Sequence, residues 1–363
     1  MALSTHQIIN EKYSARAQAA AFPFRVWDKL AAMTPDKWLS EKGEAGIYYI
    51  INNPTVNITA LPDAGASTIH QNPAVATVSV AIKEYGEGAL NYNGAWQSAF
   101  GSDNELATCV AQAAKMGQMQ ANVLIAKQAI NGVGAGTNAN VTIGSTTYAP
   151  VANGMVYYGT DTVSDTSFRA AITTTDTFTT SAWIQKGVSM LRARGVAPIA
   201  WPDGALLYAA MIPPQAVRDL QGITAANSGW INFAYTDSMR LVNGVIGDFL
   251  GCRFIEDPLS FYPAAGASSV HVAAMTIIGE GFLATPRLPV SMLAPLSTGA
   301  IIPVDEYLQV RITPQGDAHG RLSYVAPYHA MGAGIYDPRN AFRLEFYPSE
   351  QTFTPEQLAL RAL

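Results

Sequence analysis

The side chains that could do chemistry are few and scattered. Histidine stands at His6, His70, His271, His319 and His329. No two of them sit at a ligand spacing such as i, i+4 with a carboxylate or cysteine in support. They therefore read as surface or hydrogen-bonded structural residues rather than metal ligands. His319 and His329 are near enough in the tail to approach in space. Two carboxylate doublets occur, Glu256-Asp257 and Asp305-Glu306. Neighbours in a strand point to opposite faces, so neither doublet is an acid–base pair by itself, and each reads as a strand-end or loop charge. No Gly-x-Ser-x-Gly elbow marks a nucleophilic serine. The cluster Gly132-Val133-Gly134-Ala135-Gly136 has no following Gly-Lys-Ser/Thr and does not lie between a strand and a helix, so it is not a phosphate cradle. Arg192 and Arg194 are the nearest thing to a basic cluster and read as ordinary surface pairing. Cys109 and Cys252 are too few for a disulfide framework and read as buried free thiols. No catalytic residue, cofactor or metal is expected.

The elements themselves must therefore carry the function. The longest is a helix over 102–131. Ser102-Asp103-Asn104-Glu105 is a capping box, in which serine and glutamate satisfy each other's free backbone N–H groups. Asn131-Gly132 supplies a left-handed stop. Between them there is no proline and one glycine, Gly117. Thr108, Gln112, Lys115, Gln118 and Asn122 form one polar stripe, and the rest of the surface is apolar and mostly small. Such a helix runs roughly 45 Å. It reads as the core helix of an α+β domain or as the spine of an elongated, tile-shaped subunit.

Residues 1–50 read as an arm. A weakly amphipathic helix over 4–21 is broken by Phe22-Pro23-Phe24-Arg25-Val26-Trp27, and a short helix follows at 35–41. Phe22, Phe24 and Trp27 have little local material to pack on, so the rest of the subunit or a neighbour must cover them. Strands are expected at 47–51 and 75–85, the latter alternating Ala76, Val78, Val80 and Ile82 against Thr77, Ser79 and Lys83. They suit a projecting hairpin completed by another chain. A Gly/Thr-rich insertion fills 132–179. A helix over 181–194, a strand over 205–212, a short helix after Pro213-Pro214 and strands at 252–256, 270–278, 307–312, 320–327 and 342–347 complete the chain.

Composition points the same way. Of 363 residues only 13% are charged and 49% are hydrophobic. Average chains carry about 25% charge, so much of this surface is expected to meet other copies. A net charge of −5 leaves no strong footprint for nucleic acid or an anionic membrane. No run of 18 apolar residues and no secretory signal is seen, so synthesis in a reducing cytoplasm is expected.

One stretch resembles a known family. The segments Trp183–Leu191, Ile212–Leu220 and Val242–Glu256 are similar, in kind and order, to the major capsid proteins of tailed bacteriophages with the HK97 fold, and especially to the N4-type capsid branch. Pro213-Pro214 stands where family members often have His-Pro. Val80–Gly86 resembles the return strand of the family's extended loop. The resemblance implies an α+β HK97-like capsid fold. Its parts would be an N-terminal arm (1–46), an extended E-loop with flanking strands (47–101), a peripheral domain with the spine helix (102–196), an axial α/β domain (197–300), and return strands with a C-terminal tail (301–363). It implies a non-enzymatic shell subunit forming hexamers and pentamers around double-stranded DNA. Its partners would be other copies of itself, a separate scaffolding protein, a portal, and packaged DNA by weak non-specific contact, with no membrane. Its place would be the virion capsid, after assembly in the host cytoplasm. An encapsulin-like compartment of the same fold is the alternative. Phe22, Phe24, Trp27, Lys83, Glu84 and Tyr85 are the candidate inter-subunit contacts. The prototype's covalent cross-link does not carry over, because Lys83 has no identifiable asparagine partner.

Overall fold

One long helix packs against two sheets. The computed structural model describes residues 26–33, 45–51, 75–86, 90–93, 104–132, 141–143, 146–148, 156–158, 169–178, 182–226, 245–294, 296, 299–314 and 322–362. The helices expected at 4–21 and 35–41, the Ser102 cap, and Phe22 and Phe24 lie outside these residues. The helices, numbered in chain order, are α1 (Val26–Met33), α2 (Asn104–Gly132), α3 (Ala182–Ala193), α4 (Pro214–Ala226) and α5 (Pro355–Ala362). The segment read as a break at 22–27 is thus helical from Val26 onward.

Among the described residues the larger sheet has eight strands. Its path runs β10 (Val245–Phe249), β11 (Cys252–Glu256), β9 (Leu206–Ile212), β13 (Val272–Ile278), β19 (Ala341–Phe346), β7 (Val156–Tyr158). The short strands β8 (Ile199–Ala200) and β12 (Phe261–Tyr262) pair with β9 and β13. The β11/β9 and β19/β7 pairs are parallel and the rest antiparallel. The second sheet is antiparallel: β15 (Ala300–Pro303), β16 (Gln309–Pro314) and β17 (Leu322–Met331), with β3 (Lys83–Tyr85) and β4 (Leu90–Asn93) at the two ends of β17. Three two-stranded ribbons complete the set: β1 (Ala45–Ile51) with β2 (Val75–Ala81), β5 (Val141–Ile143) with β6 (Thr146–Tyr148), and β14 (Leu283–Ala284) with β18 (Gly334–Ile335).

Period-two alternation explains how the large sheet sits between two cores. Tyr208, Ala210 and Ile212 of β9 and Ala273, Met275 and Ile277 of β13 point to the face covered by α3 and α4. Ala209 and Met211, with Val272, Ala274 and Ile278, point to the other face. There they meet Ala121, Ile125, Ala129 and Ile130 of α2, with Trp27 and Leu30 of α1. The N-terminal half of α2 serves a separate core: Ala107, Val110, Ala113 and Ala114 lie on Val310 and Val325 of the second sheet. At the crossing, a Cβ built on Gly117 would stand 2.7 Å from Leu308 Cδ1 and 2.7 Å from Pro327 Cβ. Gly117 is there because the helix and sheet backbones come that close. Gly187 of α3 plays the same part against Phe342, which a Cβ would approach to 2.5 Å.

β19 reads as half polar in sequence, yet all six of its residues are buried. Phe342, Leu344 and Phe346 face α3. Arg343 and Glu345, both 0% exposed, face the C-terminal end of α2. Arg169 grips Glu345 with two bonds of 2.6 and 2.8 Å and lies 3.1 Å over the Tyr262 ring. Arg343 Nε stands 2.9 Å from Glu345 Oε1, and its Nη1 donates to the Ile130 carbonyl. The Tyr262 hydroxyl donates to the same carbonyl at 2.6 Å. Two arginines and one glutamate thus leave a positive charge at the negative end of a 29-residue helix dipole.

Two outcomes follow for urea denaturation of the chain. Glu345→Gln leaves two buried arginines facing each other and lowers stability by about 3–5 kcal/mol. Gly117→Ala lowers the midpoint as well, although alanine is the better helix former by about 1 kcal/mol, because overpacking costs about 1–3 kcal/mol.

Candidate functional site

The described candidate contact residues, Trp27, Lys83, Glu84 and Tyr85, lie in the region where α1, the β1–β2 ribbon and β3 join the body of the chain. α1 is held there by polar bonds from distant elements. Its first turn leaves N–H groups without intrahelical partners, and Arg25 before it is not a capping residue type. Asn122 of α2 supplies the missing acceptor: its Oδ1 takes the N–H of Trp27 at 2.9 Å and of Asp28 at 3.3 Å. Trp27 is 0% exposed, and its indole N–H donates to Asp257 Oδ2 at 2.7 Å. Asp257 is also fully buried and accepts from the Ser260 hydroxyl at 2.5 Å and the Leu259 N–H at 3.2 Å. Asp28 pairs with Arg287.

These bonds correct three sequence expectations. Trp27 is covered by its own chain, so it is not a surface that a neighbour could touch. Asp257 is a buried acceptor rather than a loop charge. The polar stripe of α2 is exposed at Thr108, Gln112 and Lys115 but buried at Gln118 and Asn122, because α1 lies across its C-terminal half.

The ribbon has one covered face and one open face. Tyr48 and Val80 are buried with Ala284, and Val78 and Tyr336 pack beside them. On the opposite face Ile47 pairs with Ser79 and Tyr49 with Thr77. Ile47 is 57% exposed and Tyr49 60% exposed. The chain changes sheets at Ile82: β2 pairs with β1, whereas β3 pairs with β17. The single strand expected over 75–85 is therefore two.

Lys83 and Glu84 are exposed, and Tyr85 is half-buried. Burial, helped by the Glu84 carboxylate, holds the Tyr328 phenol above its usual range. Tyr85 stacks on His329 with ring centroids 5.5 Å apart and planes at 24°. His329 is only 3% exposed, and neither ring nitrogen has a hydrogen-bond partner among the described residues. That departs from the surface or hydrogen-bonded role expected of it. Arg194, expected at the surface, is half-buried and donates to the carbonyls of Arg339 and Ala341. Asp305 Oδ1 accepts from the N–H groups of Tyr307 and Leu308, the turn role expected of a loop charge.

Among the described residues no group of three or more His, Cys, Asp or Glu side chains could hold a metal ion. No helix among them is long and apolar enough to cross a membrane. Neither Cys109 nor Cys252 is joined in a disulfide, and burial pushes the Cys252 thiol up. The charged clusters seen here tie elements together, and among the described residues the apolar face of the ribbon, with the charged edge beside it, is open to a partner, as are Leu206 and Tyr324.

No family model and no curated protein matches the sequence. Solved structures do match. The capsid of Ralstonia phage GP4 is similar over 86% of this chain and 86% of its own, with TM-score 0.59 and 15% identity. The capsid asymmetric unit of cyanophage Pam1 covers 85% of this chain and 86% of its own, with TM-score 0.56 and 13% identity. The head of Helicobacter pylori bacteriophage KHP40 covers 84% of each chain, with TM-score 0.51 and 11% identity. The chain has the mixed α+β fold of phage capsid subunits, the fold class the sequence resemblance implied.

Asn122→Ala removes the acceptor for two buried donors. It is expected to cost about 1–3 kcal/mol in chemical denaturation and to speed hydrogen exchange in Val26–Met33. Trp27→Ala is expected to cost about 3–5 kcal/mol, whereas Lys83→Ala stays within about 0.5 kcal/mol.

Proposed function

We propose that this chain is a major capsid protein: a structural, non-enzymatic subunit whose copies form the hexamers and pentamers of an icosahedral shell around double-stranded DNA. The observation that carries the reading is the fold, matched along 86% of both chains to a phage capsid subunit. The low charge content supports it, since 13% charged residues leave much apolar surface for neighbours to cover. The N4-type branch is the reading favoured by the resemblance across Trp183–Glu256.

In this reading residues 1–46 are the N-terminal arm and 47–101 the extended loop with its flanking strands. Residues 102–196 form the peripheral domain and 197–300 the axial domain, and 301–363 return to the periphery. The open face of the ribbon, Ile47 and Tyr49, is the surface a neighbouring copy covers. An isolated two-stranded ribbon is marginal in water, and burying its apolar face against another chain favours assembly at roughly 25 cal/mol per Å² before association costs. Lys83 and Glu84 beside it supply charge complementarity, and Phe22 and Phe24 belong to the arm's share of the contact. A scaffolding protein and a portal are the other assembly partners. The acidic chain, at −5, holds DNA by weak contact only, which suits a container that must release it. The virion is its final place and the bacterial cytoplasm its place of assembly.

The test pairs Ile47→Ser with Tyr49→Ser. Both side chains are mostly exposed in the subunit, so its denaturation midpoint should be unchanged, while sedimentation should show loss of the assembled fraction that the parent chain forms. Undiminished assembly of the double variant would sink the ribbon's role. A parent chain that never sediments as a large particle, even beside its scaffolding protein, would sink the shell reading.

A further inference from the structure

The least expected group in the molecule is His329. It lines a small cavity of about 20 Å³ with Asp28, Gln118, Arg287, Asp305 and Tyr307, room for about one water. Five separate pieces of chain meet around it. α1 brings Asp28, α2 brings Gln118, the strand-like segment at 287 brings Arg287, the turn between β15 and β16 brings Asp305 and Tyr307, and β3 brings Tyr85, stacked on the ring. Arg287 is tied to β17 by a bridge to Met331, and the next residue, Leu288, donates to the Ala330 carbonyl at 3.0 Å.

We propose that His329 is an acid-operated release: protonation of its ring opens the seam that holds α1 and β3 against the body of the subunit. The neutral ring fits because it stacks on Tyr85 and asks for little solvation. An imidazolium carries two N–H donors and a charge; neither ring nitrogen has a partner among the described residues, and a single water in the cavity could meet only one of the two donors. The facing carboxylates are already engaged, Asp28 by Arg287 and Asp305 by the amides of its own turn. The nearby Arg287 adds a like charge. A buried charge without hydrogen bonds is costly, and opening the seam lets water reach it. The elements that must move are short: β3 has three residues and α1 eight.

The direction of the pH effect follows from linkage. Burial, then Arg287, holds His329 down to about 4, with Asp28 and Asp305 opposing. The folded value lies below the ordinary 6.5. Stability from the neutral ring is therefore complete above pH 6.5, declines as pH falls towards 4, and falls no further below that. The gap of 2.5 units sets a ceiling of about 300-fold on the rise in seam opening. The inference concerns the subunit alone, and its failure would leave the shell reading untouched.

The experiment is hydrogen–deuterium exchange on the whole chain in solution between pH 7.5 and 4.5, corrected for the intrinsic pH dependence of exchange. Peptides covering Val26–Met33 and Lys83–Tyr85 should open up to about tenfold more per pH unit below 6.5, while Val272–Ile278 stays protected. His329→Phe, which keeps the stacking, should abolish that acid response. An equal response in the variant, or none in the parent, would overturn the proposal. If the variant fails to fold, ¹³C-histidine NMR of the parent decides. Titration of His329 near 4, with α1 opening in step, supports the release, and a value at or above 6.5 overturns it.

Discussion

The structure depends on burying one long helix along its whole length. α2 has 29 residues and little charge, and no single layer of a domain is deep enough to cover it. The chain solves this with two cores. Small side chains over the first half, Ala107 to Ala114, let the second sheet lie close, and Gly117 removes the last obstacle where Leu308 and Pro327 press in. The second half enters the larger core under the eight-stranded sheet. Each sheet is fixed relative to the other because each is fixed to the same rigid rod.

Polar groups then lock the ends of that arrangement. Asn122 gives α1 an N-cap that its own sequence lacks, and Asp257 and Arg287 take the indole of Trp27 and the carboxylate of Asp28. At the far end Arg343 and Tyr262 satisfy the Ile130 carbonyl, with Glu345 and Arg169 balancing the charge. These bonds lie in dry surroundings, where leaving any partner unmatched costs more than the bond itself contributes. They read as positioning devices: they set where α1 and the rod sit more than how strongly the core collapses.

Local pattern made most elements legible and long-range pairing hid the rest. The rod, α3, β9, β11, β13 and β19 follow from hydrophobic period and from glycine and proline punctuation, and each is present near its expected bounds. α1 was illegible because its cap lies 95 residues away on α2. Asp257 looked like a loop charge because its partner Trp27 is 230 residues distant. Glu345 and Arg343 alternate with aromatics as a solvent-facing strand would, and only the packed end of α2 reveals that both faces of β19 are buried. One hint was available: a polar stripe that continues to Asn122 on a helix otherwise made of small apolar residues must meet something that needs hydrogen bonds. Of the candidate contacts, Lys83 and Glu84 lie open at the surface, Tyr85 is partly spent on His329, and Trp27 belongs to the interior.

The account makes the apolar, weakly charged surface proposed for this chain an assembly surface, with the open face of the ribbon as part of it. Electron microscopy of particles formed when the chain is expressed, alone and with the scaffolding protein proposed for it, tests that most directly. The account predicts closed shells built of sixfold and fivefold capsomers, in which each ribbon lies against the next subunit and Ile47 and Tyr49 are covered. Dispersed single subunits under those conditions, or shells in which that face of the ribbon stays in solvent, would contradict it.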